Sequence, residues 1–416
     1  MKKVLFLIFF FIKNVFCSDI LIPMDNTQKN HLKAYGLVYW AIEKGANTEW
    51  FLNYRGGSFF IEGYENIVNE AAKRGISIEM ISSSDYSTIR SSIEAGNMDA
   101  VKLEKAPKVA VYTPPGKFPW DDAVTLALTY AEIPFETLWD KEVLDGKLGN
   151  YDWLHLHHED FTGQYGKFYG SQRNKRWYKE QVIRFEKMAK ELGFSKVSRL
   201  KLAVALKIKE FMLNGGFLFA MCSATDSYDI ALSAINTDIC DTPFDGDPVD
   251  PNYKSKLNYS NCIAFENFTL ETNPMVYEFS DIDMTTKKFN SISKDNDYFT
   301  LFEFSAKYDP IPAILTQNHT RLIKGFMGQS TSFNKNLVKK NVIILGERKS
   351  SDEVKYIHGE VGQGFFTFYG GHDPEDYQHF VDDPPTELDL YQNSPGYRLI
   401  LNNVLFPATN KKKRKT

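Results

Sequence analysis

An α/β protein of two doubly wound, parallel-sheet units, the second carrying a β-rich insertion, is the fold class the sequence predicts. Three patterns predict it. Short apolar runs alternate with amphipathic segments from Asp19 to about Leu103, and the same alternation restarts at Lys108 and runs to Met221. Between about Cys240 and Lys340 the regularity fails, and it returns with apolar runs at 341–346 and 364–369. The 416 residues leave room for two or three hydrophobic cores.

In the first unit, residues 18–105, strands are expected at 20–24, 50–54 and 76–81. Helices are expected at 31–43, where Leu32, Tyr35, Val38 and Ile42 recur at helical spacing, and at 63–73. The second unit, 106–408, opens with a strand at 109–113 and the turn Pro114-Pro115-Gly116, followed by a helix at 121–131. Strands at 135–138 and 153–157, helices at 177–192 and 198–214, and the strand 217–221 behind Gly215-Gly216 complete a parallel-sheet pattern. Turn residues and pieces such as 298–304 mark the insertion at about 240–340. After the Pro384-Pro385 break, 397–405 reads as a closing helix.

The ends carry separate signals. Lys2 and Lys3 precede the apolar run 4–12, and Val15-Phe16-Cys17-Ser18 offers a cleavage point after Cys17, so residues 1–17 read as an export signal for the periplasm or cell envelope of a bacterium. Removing Lys2, Lys3 and Lys13 with it takes the formal charge from -4 to -7. Lys411 to Lys415 form a solvated basic tail within 409–416. No other apolar run nears the length of about 20 residues that spans a bilayer. The basic residues are otherwise dispersed among a slight acidic excess, which argues against a nucleic-acid partner. The composition is 14% aromatic, which favours aromatic-lined surfaces or pockets and names no ligand; the expected partner is a small-molecule, peptide or glycan substrate, and no cofactor motif is read.

Export leaves three cysteines, which cannot all pair within one chain. Cys240 and Cys262 flank a turn-rich loop and are the disulfide candidate, worth about 3 kcal/mol; the alternative is three reduced core thiols. Cys222 is the odd thiol, and its setting is the most informative in the chain. An apolar strand delivers it between Ala220 and Ala224 into a turn before a helix starting near Ser227, the layout of a nucleophile elbow. A thiol at a helix N-terminus is expected to shift toward thiolate, with the Ser223 N–H placed for an oxyanion. His372 emerges from the strand 364–369, at the sheet edge where Cys222 also lies, and serves as the candidate base. Asp373 or Glu375 is the candidate to orient its ring.

Other pocket candidates are His155, His157, His158, Glu159 and Arg55. On a strand His155 and His157 share a face, and with Glu159 they form a candidate metal set; the alternatives are structural histidines or the wall of the Cys222 pocket. Arg55 with Gly56-Gly57 reads as an anion-binding turn or a tight turn with a surface arginine. Asp245-Gly246-Asp247 has a calcium-loop spacing without the ligands that complete one.

From Lys108 onward, Gly215-Gly216 leading into Cys222 and the late His372-Asp373-Pro374-Glu375 resemble the class I glutamine amidotransferase-like superfamily. That resemblance implies a flavodoxin-like fold and a triad of Cys222 as nucleophile, His372 as base and Glu375 as orienting acid. The chain departs from the pattern at Ala220 and Ala224, at Asp373, and at His155-Leu156-His157-His158-Glu159-Asp160 in place of a glycine-rich oxyanion loop, features closer to trehalose-utilisation-like members. The whole chain, through Leu21-Ile22-Pro23-Met24-Asp25 and Leu52-Asn53-Tyr54-Arg55-Gly56-Gly57, also resembles an exported bacterial family labelled asparagine synthetase B. It has neither the N-terminal cysteine nor the pyrophosphate loop of synthetase chemistry. The expected activity is therefore thiol-based hydrolysis of an amide or ester. The alternatives are a non-catalytic envelope protein binding a glycan or peptide, and a metal hydrolase using the His155 cluster.

Overall fold

The computed structural model describes residues 19–409 except 65, 117, 118, 310, 317–319 and 379; the predicted export signal and the lysine-rich tail lie outside the described residues. The first sheet contains β1 (Asp19–Ile22), β2 (Thr48–Leu52), β3 (Ser58–Ile61), β4 (Glu79–Ile81) and β5 (Asp99–Leu103), in the order β4-β1-β3-β2-β5. All its pairings are antiparallel, which corrects the expectation of a parallel unit here. The turn at 53–57 is the cause. Asn53, Arg55, Gly56 and Gly57 have φ of 66°, 45°, 77° and 85°, and this left-handed run returns the chain so tightly that Phe51 pairs with Ser58. A parallel connection needs a dozen residues or more.

Helix α1 (His31–Glu43) begins where the Asn30 side chain accepts from the Lys33 N–H. After α2 (Ile67–Arg74), helix α3 (Ser83–Ala95) opens with a reciprocal Ser82–Asp85 capping box. Strand alternation divides the side chains between two faces. Ile20, Ile22, Trp50 and Phe59 join the core that contains α1, and Leu21, Phe51 and Phe60 pack with Ile89 and Ile93 of α3.

The second sheet contains β6 (Val109–Tyr112), β7 (Phe135–Leu138), β8 (Trp153–Leu156), β9 (Phe217–Met221), β10 (Tyr298–Leu301), β11 (Leu322–Lys324), β12 (Phe333–Asn334), β13 (Ile343–Glu347), β14 (Glu353–Val361) and β15 (Gly364–Tyr369). Its order is β11-β10-β13-β14-β15-β9-β8-β6-β7, with β12 on β14. The five strands β7, β6, β8, β9 and β15 are parallel, as expected for this unit. The others pair antiparallel, so the irregular 240–340 stretch adds β10, β11 and β12 to the same sheet. Helices α4 (Ala123–Ala131), α5 (Arg176–Glu191), α6 (Val197–Leu213), α7 (Ser223–Ser233) and α8 (Pro395–Leu405) flank it. No helix of the described residues is long and apolar enough to cross a membrane.

The expected Cys240–Cys262 disulfide is absent, and both residues are free thiols. Each has its own carbonyl acceptor: Cys240 Sγ donates to Thr162 O at 3.2 Å and Cys262 Sγ to Asp229 O at 3.3 Å. The acidic loop beside them is likewise occupied, because Lys196 Nζ lies 2.7 Å from Asp238, 3.0 Å from Asp245 and against Asp247. A lysine supplies the cation there, and the calcium-like reading lapses.

Candidate active site

Three adjacent parallel strands, β8, β9 and β15, end on one edge of the sheet, and their continuations bring His157 and His158, Cys222, and His372 together there. Cys222 stands between β9 and α7 with φ 51° and ψ -140°, a conformation that costs an L-residue on the order of 1–3 kcal/mol. Its N–H donates to Gly371 O at 3.2 Å, and its carbonyl accepts from the Thr225 N–H and hydroxyl at 3.2 and 2.7 Å. Fully buried Ala220 and Ala224 give the bend its room, and the Ala224 N–H reaches His157 O at 3.3 Å.

The sulfur lies among backbone donors. The Gln329 N–H donates to Sγ at 3.3 Å, and the Ser223 and Ser330 N–H groups also bond to it. The Ser223 N–H, the candidate oxyanion donor, is here a partner of the sulfur. Gln329 and Ser330 belong to the loop after β11, which the sequence reading missed. The signal was present, since Gly325-Phe326-Met327-Gly328-Gln329-Ser330-Thr331-Ser332 is a glycine- and hydroxyl-rich run. Buried Lys355 holds this loop by donating to Phe326 O and Thr331 O, while the His372 and Gly371 N–H groups donate to Met327 O and Ser330 O at 2.8 Å. Gly328 permits that approach, because a Cβ there would lie 2.7 Å from His372 N.

Burial pushes the Cys222 thiol up to about 11, and the Gln329, Ser330 and Ser223 N–H groups only partly offset this. The expected shift toward thiolate is therefore reversed, because Cys222 is only 2% exposed and desolvation outweighs the helix end. Alkylation of Cys222 by iodoacetamide should accelerate about tenfold per pH unit from pH 7 to 10. A rate already flat above pH 8 would contradict this setting.

Buried Asp226, one turn into α7, accepts from the Ser330 hydroxyl at 2.8 Å and from its neighbour Ser227 N–H at 3.0 Å. Burial pushes its carboxyl up to about 7, against these bonds. A raised acid is protonated more readily in the folded chain than in the unfolded one, so its contribution to stability is greatest below about pH 4 and is lost as pH rises toward 7. Asp226→Asn should accordingly stabilise the protein at pH 8 by on the order of 2–4 kcal/mol and add nothing at pH 4, read by urea unfolding at both values.

Cys222, His372 and His158 line one cavity of about 490 Å³ with Trp120, Phe168, Tyr277, Phe289, Met327 and Phe380. The ring of His372 packs against those of His157 and His158, with centroids 4.4 and 4.9 Å away. Asp373 accepts from the Tyr397 hydroxyl at 2.7 Å and from the Glu375 N–H at 2.9 Å, while Glu375 accepts from the Ser394 hydroxyl. Each carboxylate thus takes one hydroxyl from the start of α8, and Asp373 also accepts from backbone N–H groups of its own loop. Burial, together with nearby Asp373, raises the Glu375 carboxyl, and Ser394 opposes the shift.

The metal set His155, His157 and Glu159 is not assembled as expected. His155 has Nδ1 3.2 Å from Phe219 O and Nε2 3.0 Å from Asp122 Oδ2, so both ring nitrogens face acceptors. Glu159 turns back to accept from the His157 N–H at 3.1 Å. Asp122, which the sequence reading did not single out, lies 3.3 Å from His157 Nδ1 as well; burial would raise its carboxyl, but His155 and His157 outweigh this and hold it well below the usual range. Arg55 belongs to the hairpin of the other sheet and pairs with Asp25 and Glu79, each at 2.7 Å, so two carboxylates already occupy the proposed anion-binding turn.

No protein-family model and no curated protein matches the chain. Among solved structures, it is distantly similar to two Salmonella typhimurium cytoplasmic proteins, STM3548 and STM1381, each at 11% identity and a TM-score of 0.35. The matches cover 72% of this chain and 97% of the first, and 73% of this chain and 100% of the second. It is also distantly similar to Gan42B, a GH42 β-galactosidase, at 11% identity and a TM-score of 0.28, over 64% of this chain and 27% of that one.

Proposed function

We propose that the chain is an exported hydrolase that cleaves an amide or ester through a Cys222 thioester. The observation that carries the reading is the strained bend at Cys222, which holds one sulfur against three backbone N–H groups at the edge of a cavity that His372 also lines. A strained cysteine held this way costs stability that packing alone does not require.

In the reaction, a ring nitrogen of His372 takes the thiol proton as Sγ attacks the carbonyl carbon, and the C=O electron pair moves to oxygen. The Ser223 N–H stabilises that oxyanion, as at other elbows. Collapse breaks the bond to the leaving nitrogen or oxygen, which takes the proton from His372. Water then attacks the thioester by the same route, releases the acid and restores the thiol. The apolar wall of Tyr277, Phe289, Met327 and Phe380 suits an apolar acyl group. An adjoining cavity of about 320 Å³, which shares Trp120, His158 and Phe168 and contains Asp121, Asp122, Glu159 and Lys201, suits a polar leaving group.

The test is an acid quench within one turnover of p-nitrophenyl acetate and a panel of small amides, followed by peptide mass spectrometry. An acyl mass on the Cys222 peptide, lost in His372→Ala, is expected. Steady turnover with no adduct on Cys222 would remove the thiol from the mechanism.

A further inference from the structure

Three imidazoles at this edge form a site of a different kind. His157, His158 and His372 each offer a ring nitrogen, and the three atoms all lie within 4.8 Å of one another. His157 and His372 are buried, whereas His158 is partly exposed and lines both cavities, which gives a solute a path to the group. Tetrahedral zinc, with nitrogens at about 2.0–2.1 Å, needs ligand atoms about 3.3 Å apart, so side-chain rotations on the order of 1 Å would close the set.

The surroundings prepare His157 in particular. Asp122 Oδ2 lies 3.3 Å from Nδ1, an ion-pair contact outside hydrogen-bond geometry, and its negative charge favours the proton on that nitrogen. The lone pair is then left on Nε2; both ring nitrogens are buried and neither has a hydrogen-bond partner among the described residues. A carboxylate behind a histidine whose other nitrogen is unengaged is the usual outer-shell arrangement of a bound metal. The other two groupings of this kind are already filled: His155 faces two acceptors, and the Asp238, Cys240 and Asp245 set holds Lys196.

We propose that His157, His158 and His372 bind a divalent cation of the zinc class, with Asp122 orienting His157 and the fourth coordination position open to the cavity that Cys222 lines. Imidazole donors favour zinc and its late first-row neighbours over magnesium or calcium. Binding there engages the nitrogen of His372 that the proposed hydrolysis needs free, so the bound cation opposes thioester formation. The site itself does not depend on that hydrolysis.

Chelator-stripped full-length mature protein is titrated with Zn2+ against a chromophoric chelator, and separately with Co2+, whose visible bands report tetrahedral nitrogen coordination. One equivalent with a Kd below about 1 μM is expected, weakened at least 100-fold in His158→Ala and 10- to 100-fold in Asp122→Asn, with Cys222→Ser within threefold of the parent. No Zn2+ binding tighter than about 100 μM, or binding that Cys222→Ser abolishes and His158→Ala leaves intact, overturns the site. The Co2+ spectrum is read on the unmutated protein, so an octahedral, oxygen-type spectrum overturns it even if a histidine variant fails to fold. These readouts involve no turnover and keep their meaning whether or not Cys222 is a nucleophile.

Discussion

Replacing Cys222 by Ala should lower amide or ester hydrolysis at least about 10³-fold while the protein stays folded. The sulfur is the proposed nucleophile, and the N–H groups of Ser223, Gln329 and Ser330 do not supply another. The change is small in structural terms. It removes one atom from a site bounded by Gly371 and the Gln329 loop and leaves the backbone bonds of the bend in place, so a stability loss of about 1 kcal/mol is expected. Rates measured with p-nitrophenyl acetate, alongside urea unfolding of the same preparations, separate the two effects. Activity within tenfold of the parent at unchanged stability would exclude the thiol, whatever the cavity binds.

The largest stability effect is expected at Lys201. Its ammonium, 1% exposed, lies 2.8 and 3.1 Å from the two oxygens of equally buried Asp140, 2.9 Å from the Tyr112 hydroxyl, and 3.7 Å from the centre of the Trp139 ring. Tyr112 also donates to Asp140. Lys201→Met keeps the stem volume but strands the carboxylate between α6 and the strand-end aromatics, which should cost about 3–5 kcal/mol. The double variant Lys201→Met, Asp140→Leu removes both charges and should recover most of that loss, because the penalty belongs to the unpaired ion rather than to the missing attraction. A single variant within 1 kcal/mol of the parent by urea unfolding would mean that water reaches Asp140.

Some of this arrangement was legible along the chain. The Cys222 elbow follows from a five-residue apolar strand with alanines on either side of the bend, and His372 follows from an apolar strand that ends in two glycines. The helix over 31–43 and the strands at 109–112, 153–156 and 217–221 follow from periodicity and apolar runs. Strand β14 did not show itself, because Lys355, His358 and Glu360 give Glu353–Val361 a polar appearance. The fold buries the first two, holding Lys355 on two loop carbonyls and His358 on Thr367 at 2.8 Å.

What the sequence alone determined is local: which segments are apolar enough to be strands, where a thiol meets a helix start, and where a histidine leaves a strand. Only the tertiary structure decided the direction of the first sheet, because a few left-handed turn residues outweigh the helix-and-strand alternation that surrounds them. It alone brought the Gln329 N–H to a sulfur 107 positions away and three histidines from two strand ends into one cluster. It also gave Cys240 and Cys262 separate acceptors and set the protonation of Cys222 against the helix-end expectation. The physical reason is common to these cases. Hydrogen bonding, desolvation and ion pairing depend on which groups meet in space, and chain order constrains those meetings only between near neighbours.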